Sequence, residues 1–406
     1  MLKKNRTSLK PLGLGGAVFL AGLTSLPVNA DFIDDAIAGT KVYGDLRLRF
    51  EDIDDGETHE ALTLRTKLGV KTGEVNGFSV VVEMEDVRHV MGVDETGNNI
   101  PDSDDALTEL DQAFLQYKNS NVTAKLGRQV ITLDGHRHVG HVGWRQDKQT
   151  FDAGRVILKP MDDLVVDLSY IYKVNRINSP HFPDIEDTDH ALINVSYKAP
   201  IGKAAAYYYS LSEQSYGGPD GQFDETDTLG LSLTGKAGDD VKFLYALEYA
   251  TQDNKSEDLD TEYTLVELGL SVAGVTAKIG QEVLGSDTKS GGDTENFQTP
   301  LATVHKFQGW ADQFLGGSLW GEIAGGNGIE DLYYSVGGKV AGVKLLAVYH
   351  EYEADEGGAD LGDELNLLAV KKFGKRYSIG LKYADYSAPS GGTDVDKLWA
   401  WVGMSI

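Results

Sequence analysis

Arg47 and Arg49 are two residues apart, Arg65 and Lys67 repeat that spacing, and Lys71 follows at the same parity. In an extended chain, residues two apart share a face, so these cations form short rows on one side of two strands. Guanidinium and ammonium groups in a row recognise carboxylates and other oxyanions. Glu83 and Glu85 carry the same spacing with opposite charge, which suits cross-bracing of the cations or a polarised passage. Lys125, Arg155, Lys159 and Lys173 continue the basic parity on later strands. The chemistry implied is binding and passage of anions, with no covalent step. Covalent chemistry finds little to build on. There is no cysteine, which excludes thiolate nucleophiles, thiolate metal sites and disulfides. No Gly-x-Ser-x-Gly elbow and no Gly-Lys-Ser/Thr phosphate loop occurs, so the chain is not read as an enzyme. His136, His138 and His141 form the one histidine cluster, but no carboxylate spacing completes a metal site. That segment is read as loop structure, and no metal or cofactor is expected.

The elements that position these residues are read from alternation. In Lys41–Glu51, Leu46, Leu48 and Phe50 take one parity, and Asp45, Arg47, Arg49 and Glu51 take the other. Leu62, Leu64, Leu68 and Val70 repeat the pattern, as do Phe78, Val80, Val82 and Met84, and the last run is Leu398 to Ile406. Such period-two stretches are strands with one apolar and one polar face. They run about 9–12 residues, near the length that crosses a bilayer as a tilted strand. Alternate connections are tight, as at Asn119–Asn121 and Ala273–Gly274, while the others are long and polar, as at Ile131–Thr150 and Ala354–Asp363. Ten-residue strands with short turns at one end and long loops at the other describe a transmembrane antiparallel β-barrel, all-β, with short periplasmic turns and long extracellular loops.

Parity sets the strand count. Thirteen strands precede Leu284, five follow Glu330, and the segment between them must begin and end on the long-loop side. It adds either nothing or a hairpin, giving 18 or 20 strands. Gly292, Gly316, Gly317, Gly325, Gly326 and Gly328 interrupt alternation there, which favours 18. Residues 284–330 are then expected to be a loop that narrows the pore, because Phe297, Phe307, Trp310 and Phe314 have no lipid-facing parity and need burial.

Residues 1–30 differ from the rest. Lys3, Lys4, Arg6 and Lys10 precede an apolar run from Leu12 to Leu26 and a Val28-Asn29-Ala30 cleavage pattern, which together read as a secretory signal peptide. Removing its four basic residues leaves 33 Lys and Arg against 63 acidic residues, a net of -30. That balance argues against nucleic-acid binding. The acidic runs at Glu51–Asp55, Asp184–Asp189 and Glu353–Asp360 sit in or beside long loops. They are read as solvated faces, with oxygen ligands suited to divalent cations that bridge lipopolysaccharide phosphates as the second reading.

Three segments carry a family resemblance. The first joins Gly127-Arg128-Gln129, Leu133-Asp134-Gly135-His136-Arg137, Val139-Gly140, Trp144-Arg145 and Phe151-Asp152-Ala153-Gly154-Arg155. The second joins Phe297-Gln298-Thr299-Pro300-Leu301-Ala302-Thr303 to His305-Lys306-Phe307-Gln308-Gly309-Trp310-Ala311-Asp312. The third is Asp45–Glu51 with Leu62–Arg65. In these the chain resembles the alginate export family of bacterial outer-membrane porins. The resemblance implies an 18-stranded monomeric barrel, set among outer-membrane lipids and lipopolysaccharide, that carries anionic oligo- or polysaccharides through an arginine-lined constriction. It also places His136, Arg137, Trp144, Arg145, His305, Lys306, Trp310 and Asp312 in constricting loops. The rival reading is a substrate-nonspecific or plugged structural barrel. Parity puts Arg128 with Leu126 and Val130 toward lipid, so it is expected at the rim or beyond a bulge.

Overall fold

The computed structural model describes residues 30–91, 107–177, 184–212, 214–215, 222–256, 258–288, 292 and 294–406. Residues 1–29, which hold most of the expected signal peptide, lie outside them, as does the long connection at 92–106. A short helix, α1 (Ala30–Ala38), leads into the first strand. Eighteen barrel strands follow in chain order: β1 (Lys41–Asp54), β2 (Thr58–Lys71), β3 (Phe78–Met91), β4 (Leu107–Lys118), β5 (Val122–Gln129), β6 (Thr150–Met161), β7 (Leu164–Asn175), β8 (Ile185–Ala199), β9 (Gly202–Leu211), β10 (Thr226–Ala237), β11 (Val241–Asn254), β12 (Leu259–Val272), β13 (Val275–Leu284), β14 (Ile329–Val340), β15 (Val343–Glu353), β16 (Asp360–Phe373), β17 (Tyr377–Ser387) and β18 (Val395–Ser405). Each pairs antiparallel with its sequence neighbours, and β18 pairs back onto β1. The sheet is thus a closed 18-stranded barrel, the lower of the two counts that parity allows. The extra hairpin in the β13–β14 connection, Ser286–Thr288 with Thr294–Asn296, forms a separate two-stranded sheet outside the wall.

The two faces of the wall obey the alternation. Leu48, Leu68, Val82, Leu231, Leu268 and Leu381 are each more than a third exposed on the outer face, a belt that only lipid can cover. Lumen-facing neighbours such as Arg49, Glu85 and Lys382 are buried inside. No helix among the described residues is long and apolar enough to cross a membrane. The strands cross instead, and closure satisfies every strand edge within the chain. This barrel is an outer-membrane protein.

The core lies inside the barrel, toward the long-loop end. Ile131, Phe151, Tyr263, Phe297, Leu301 and Trp399 are at most 1% exposed and belong to one cluster. Lumen-facing strand residues supply most of it, and two connections that turn inward, β5–β6 (residues 130–149) and β13–β14 (residues 285–328), supply the rest. A six-residue helix, α2 (Leu315–Trp320), lies in the second. Because these loops carry apolar side chains at irregular spacing, the lumen gives them the water-free partner that the lipid face cannot.

Candidate functional site: the loop-lined lumen

The two inward loops bind each other before they bind the wall. Gly140 N–H donates to the Leu301 carbonyl at 2.8 Å, Thr303 N–H to the His136 carbonyl at 3.0 Å, and Val142 N–H to the Thr303 hydroxyl at 3.1 Å. Trp144 stacks on His305, with ring centroids 5.2 Å apart and planes within 3°. Arg145 reaches Asp312 at 2.7 Å, and its other nitrogen is 3.5 Å from Glu51. Two carbonyls of the first loop dock on β1: Arg49 donates to that of Trp144 at 2.7 Å, and Arg47 to that of Arg145. Gly309 (φ 80°) brings the second loop against β16, where Glu364 accepts from Trp310 N–H and Ala311 N–H at 2.5 and 2.8 Å. A Cβ on Gly309 would stand 2.1 Å from the Glu364 carboxylate, so this approach requires glycine.

Loop groups titrate as this packing dictates. Burial holds His305 down, to about 3, so the ring is neutral at ordinary pH. The network then fixes its tautomer: Nδ1–H donates to Asp312 at 2.7 Å, and Nε2 accepts from Lys382 at 2.5 Å. The Lys382 ammonium lies 4.0 Å from the ring centres of both Trp144 and Trp310 and 5.3 Å from Trp399, a cage that suits a cation. Burial opposes ionisation of Asp312, but His305 and Arg145 outweigh it and hold the carboxyl well below the usual range. His141 is pushed down to about 4 and His136 is lowered, burial being the main cause for both. Their rings lie 5.3 Å apart.

The basic residues divide by whether an acid neutralises them. Arg65 meets Asp45 at 2.6 Å and Glu85 at 4.0 Å, Lys67 meets Glu85 at 2.8 Å, and Arg155 meets Asp167 at 2.6 Å. Arg49 is paired with Glu51 at 3.0 Å. Glu83 takes Lys148 of the first loop at 2.5 Å, together with Asp111. Arg47, Lys71 and Lys125 face the same wall, and among the described residues none has a carboxylate within 4.0 Å. Arg47 is held by the neutral Gln146 side chain at 2.7 Å, and Lys125 lies over Phe114 at 4.7 Å.

Two basic residues depart from their expected places. Lys173 is not in the lumen. A bulge between Ile171 and Lys173 reverses parity at the end of β7 and pairs Lys173 with Asp152, which also pairs with Arg128 on the lipid-facing parity of Leu126. Lys173 therefore sits on the outer face and bonds Asp184 at 2.9 Å. Lys159 lies exposed beside the short-turn rim, where Asn121 bonds its backbone, and takes no part in a constriction. Arg128 is on the outer face at the long-loop end, paired with Asp152 at 2.8 Å.

The loop residues are divided between two anchor points. Trp144, Arg145, His305, Trp310 and Asp312 join Lys382 beside β1, β17 and β18. Arg137 instead pairs with Glu282 of β13 at 2.8 Å and lies over Phe307 at 4.7 Å. Lys306 is exposed and donates to the Gly135 carbonyl at 2.7 Å. Sequence reasoning missed Lys382 and Lys397, the loop cation Lys148, and a wall of tyrosine–carboxylate pairs. In that wall Tyr207 donates to Glu248 and Tyr263 to Glu282, both at 2.7 Å, and Tyr333 donates to Glu267 at 3.0 Å. For all but the loop residue Lys148 a signal existed: they lie on the parity opposite their strands' exposed residues, such as Tyr208, Val266, Tyr334 and Leu381.

A family model described as "Alginate export" matches residues 45–291, more than half of the chain. No curated protein matches the sequence. Solved structures match over nearly the whole barrel at low identity. OccAB4 of Acinetobacter baumannii is 13% identical with a TM-score of 0.69, covering 90% of this chain and 98% of its own. The outer membrane protein OpdK of Pseudomonas aeruginosa, also solved with vanillate, is 12% identical with a TM-score of 0.70, covering 91% and 99%. OccK9 (OpdG) of the same organism is 15% identical with a TM-score of 0.69, covering 91% and 100%. At such identities the likeness shows the fold alone.

Proposed function

The chain belongs to the alginate export family, and from that premise we propose that this outer-membrane barrel passes anionic saccharides of the uronate type through its cation-lined lumen. The observation that carries the reading is the set of cations without acidic partners. Arg65, Lys67 and Arg155 are neutralised at 2.6–2.8 Å, so their field outside the pair is small. Arg47, Lys71 and Lys125 keep theirs. Two unit charges 4 Å apart interact by about 1 kcal/mol in bulk water and about 4 at an effective dielectric of 20, so a narrow lumen amplifies what three such cations do to a passing carboxylate. The acidic outer loops act through open solvent, where charges are screened beyond about 8 Å at physiological salt. The half-buried Tyr333–Glu267 pair on β14 and β12 offers a ring edge and an acceptor to sugar hydroxyls on the opposite wall. Because the wall is closed, no strand edge asks for a neighbouring chain, which supports action as a single barrel. In this reading residues 1–30 are the export signal.

One observation favours a second reading, a plugged structural barrel. Arg49, Glu51, Arg145 and Trp399 form a layer near the long-loop end in which no residue is more than 2% exposed. A planar bilayer separates the two. A channel gives steady current whose reversal potential in a KCl gradient is that of an anion-preferring pore, and uronate oligomers block it. Replacing Arg47, Lys71 and Lys125 together by Gln moves the reversal potential toward cations and weakens the block. No steady current supports the plugged barrel. Cation preference in the native protein, with no uronate block, removes the proposed cargo.

A further inference from the structure

A cavity of about 500 Å³ lies at the long-loop end of the barrel, between β1, β17, β18 and the second inward loop. That volume is within the range of small-molecule pockets. Tyr386 and Pro389 supply an apolar wall, Asp55, Gln313 and Thr393 supply hydrogen-bonding groups, and Lys397 lies at the inner end. Thr393 and Asp55 are exposed, so the cavity is reached from the loop side. Below it lie Arg145, Glu51 and Trp399, each at most 2% exposed.

Lys397 is 8% exposed and its ammonium stands 3.8 Å from an Asp312 oxygen. Asp312 is already served at 2.7 Å by both Arg145 and His305. Lys397 is the most loosely held of the three partners of Asp312, so it is the one a ligand carboxylate can draw toward itself. Register then continues downward from it on the lumen-facing parity. Lys397 is level with Ile53, Trp399 with Glu51, Trp401 with Arg49, and Gly403 with Arg47. A carboxylate held by Lys397 stands at the head of the basic row that descends β1.

We propose that this cavity is an outer capture site for a single hexuronate unit, free or at the end of an oligomer, loaded from the long-loop side. The inference rests on the function proposed above and adds a site and a side of entry. One cation at the inner end matches one carboxylate. A pyranose ring has an apolar face for Tyr386 and Pro389, and hydroxyls for Asp55, Gln313 and Thr393. A neutral hexose leaves Lys397 without its anion. An aryl carboxylate leaves the three polar side chains unpaired, which selects against it.

The test uses the full-length mature barrel, inserted in one orientation in a planar bilayer, with sodium galacturonate, galactose and sodium benzoate as probes. Galacturonate added at the loop side should block at a concentration at least tenfold lower than at the turn side. Galactose and benzoate should block at least tenfold more weakly than galacturonate. Lys397→Gln removes the cation, and Thr393→Trp fills the cavity from an exposed loop position. Each should raise the loop-side blocking concentration at least tenfold. Equal block from both sides, loop-side block that ignores both substitutions, or benzoate as effective as galacturonate overturns the capture site. Turn-side block that survives those results leaves the anion channel standing, whereas loss of block from both sides removes the channel reading itself. A barrel that carries no current is tested by tryptophan fluorescence, since Trp399 is two residues from Lys397. Galacturonate should shift the emission of the native chain and not of Lys397→Gln; no shift in the native chain overturns the site.

Discussion

Asp312→Asn should release the inward loops from the barrel wall. Asp312 ties the two inward loops together at the anchor beside β1, β17 and β18, meeting Arg145 at 2.7 Å and accepting from His305 at 2.7 Å, with side chains only 3% and 7% exposed across the ion pair. Asparagine keeps the size and can still accept from His305, so the change isolates the charge. It leaves Arg145 buried with Glu51 at 3.5 Å as its remaining acid, and Glu51 is already held by Arg49 at 3.0 Å. Removing one partner of a buried pair costs about 3–5 kcal/mol, chiefly because the other charge stays buried. At about 1.4 kcal/mol per tenfold, the undocked population should rise roughly 10²–10³-fold. Single-channel recording should show larger or noisier conductance, and limited proteolysis should cut within residues 305–314. Arg145→Met with Asp312→Asn removes both charges and should recover much of the docking. Native-like current and protease resistance in Asp312→Asn would refute the claim that this pair holds the loops, as would a double variant less docked than the single one.

Acid should loosen the same loops. Docked His305 titrates near 3, whereas a released histidine titrates near 6.5, so the released form binds more protons between those values and docking weakens as pH falls through that window. From pH 6.5 to 4.5 the differential is of order 2–3 kcal/mol, visible as rising conductance, and a pH-independent current would contradict it. Gly127→Ala should impair assembly, because Gly127 has φ 119° and a Cβ there would lie 2.3 Å from the Ala113 carbonyl oxygen; a reduced folded band on unheated gels is the readout. An epitope inserted at Gly357 should be labelled on intact cells, while one at Gly274 should not, since they occupy opposite ends of the barrel. The reverse labelling pattern would invert the topology.

Alternation alone determined the barrel. Side chains on a strand point to opposite faces without reference to anything distant, so Leu48 toward lipid and Arg49 toward the lumen follow from neighbours two residues apart. Loop lengths then fixed which end is which, and parity confined the count to two values. The same local rule located Arg47, Arg65, Lys67 and Glu85 inside. It failed at Lys173, because one bulge residue reverses every parity beyond it, and a bulge is set by pairing across strands. Only tertiary structure decided which cations keep their charge. Arg155 is neutralised by Asp167, twelve residues on, and Glu83 by Lys148 from a loop, while Lys71 and Lys125 have no carboxylate within 4.0 Å among the described residues. It also decided the lock between the loops, since Arg145 and Asp312 are 167 residues apart and meet because two loops enter one lumen. Charge pairing depends on distances of 3–4 Å, and sequence spacing carries that information only within one strand or turn.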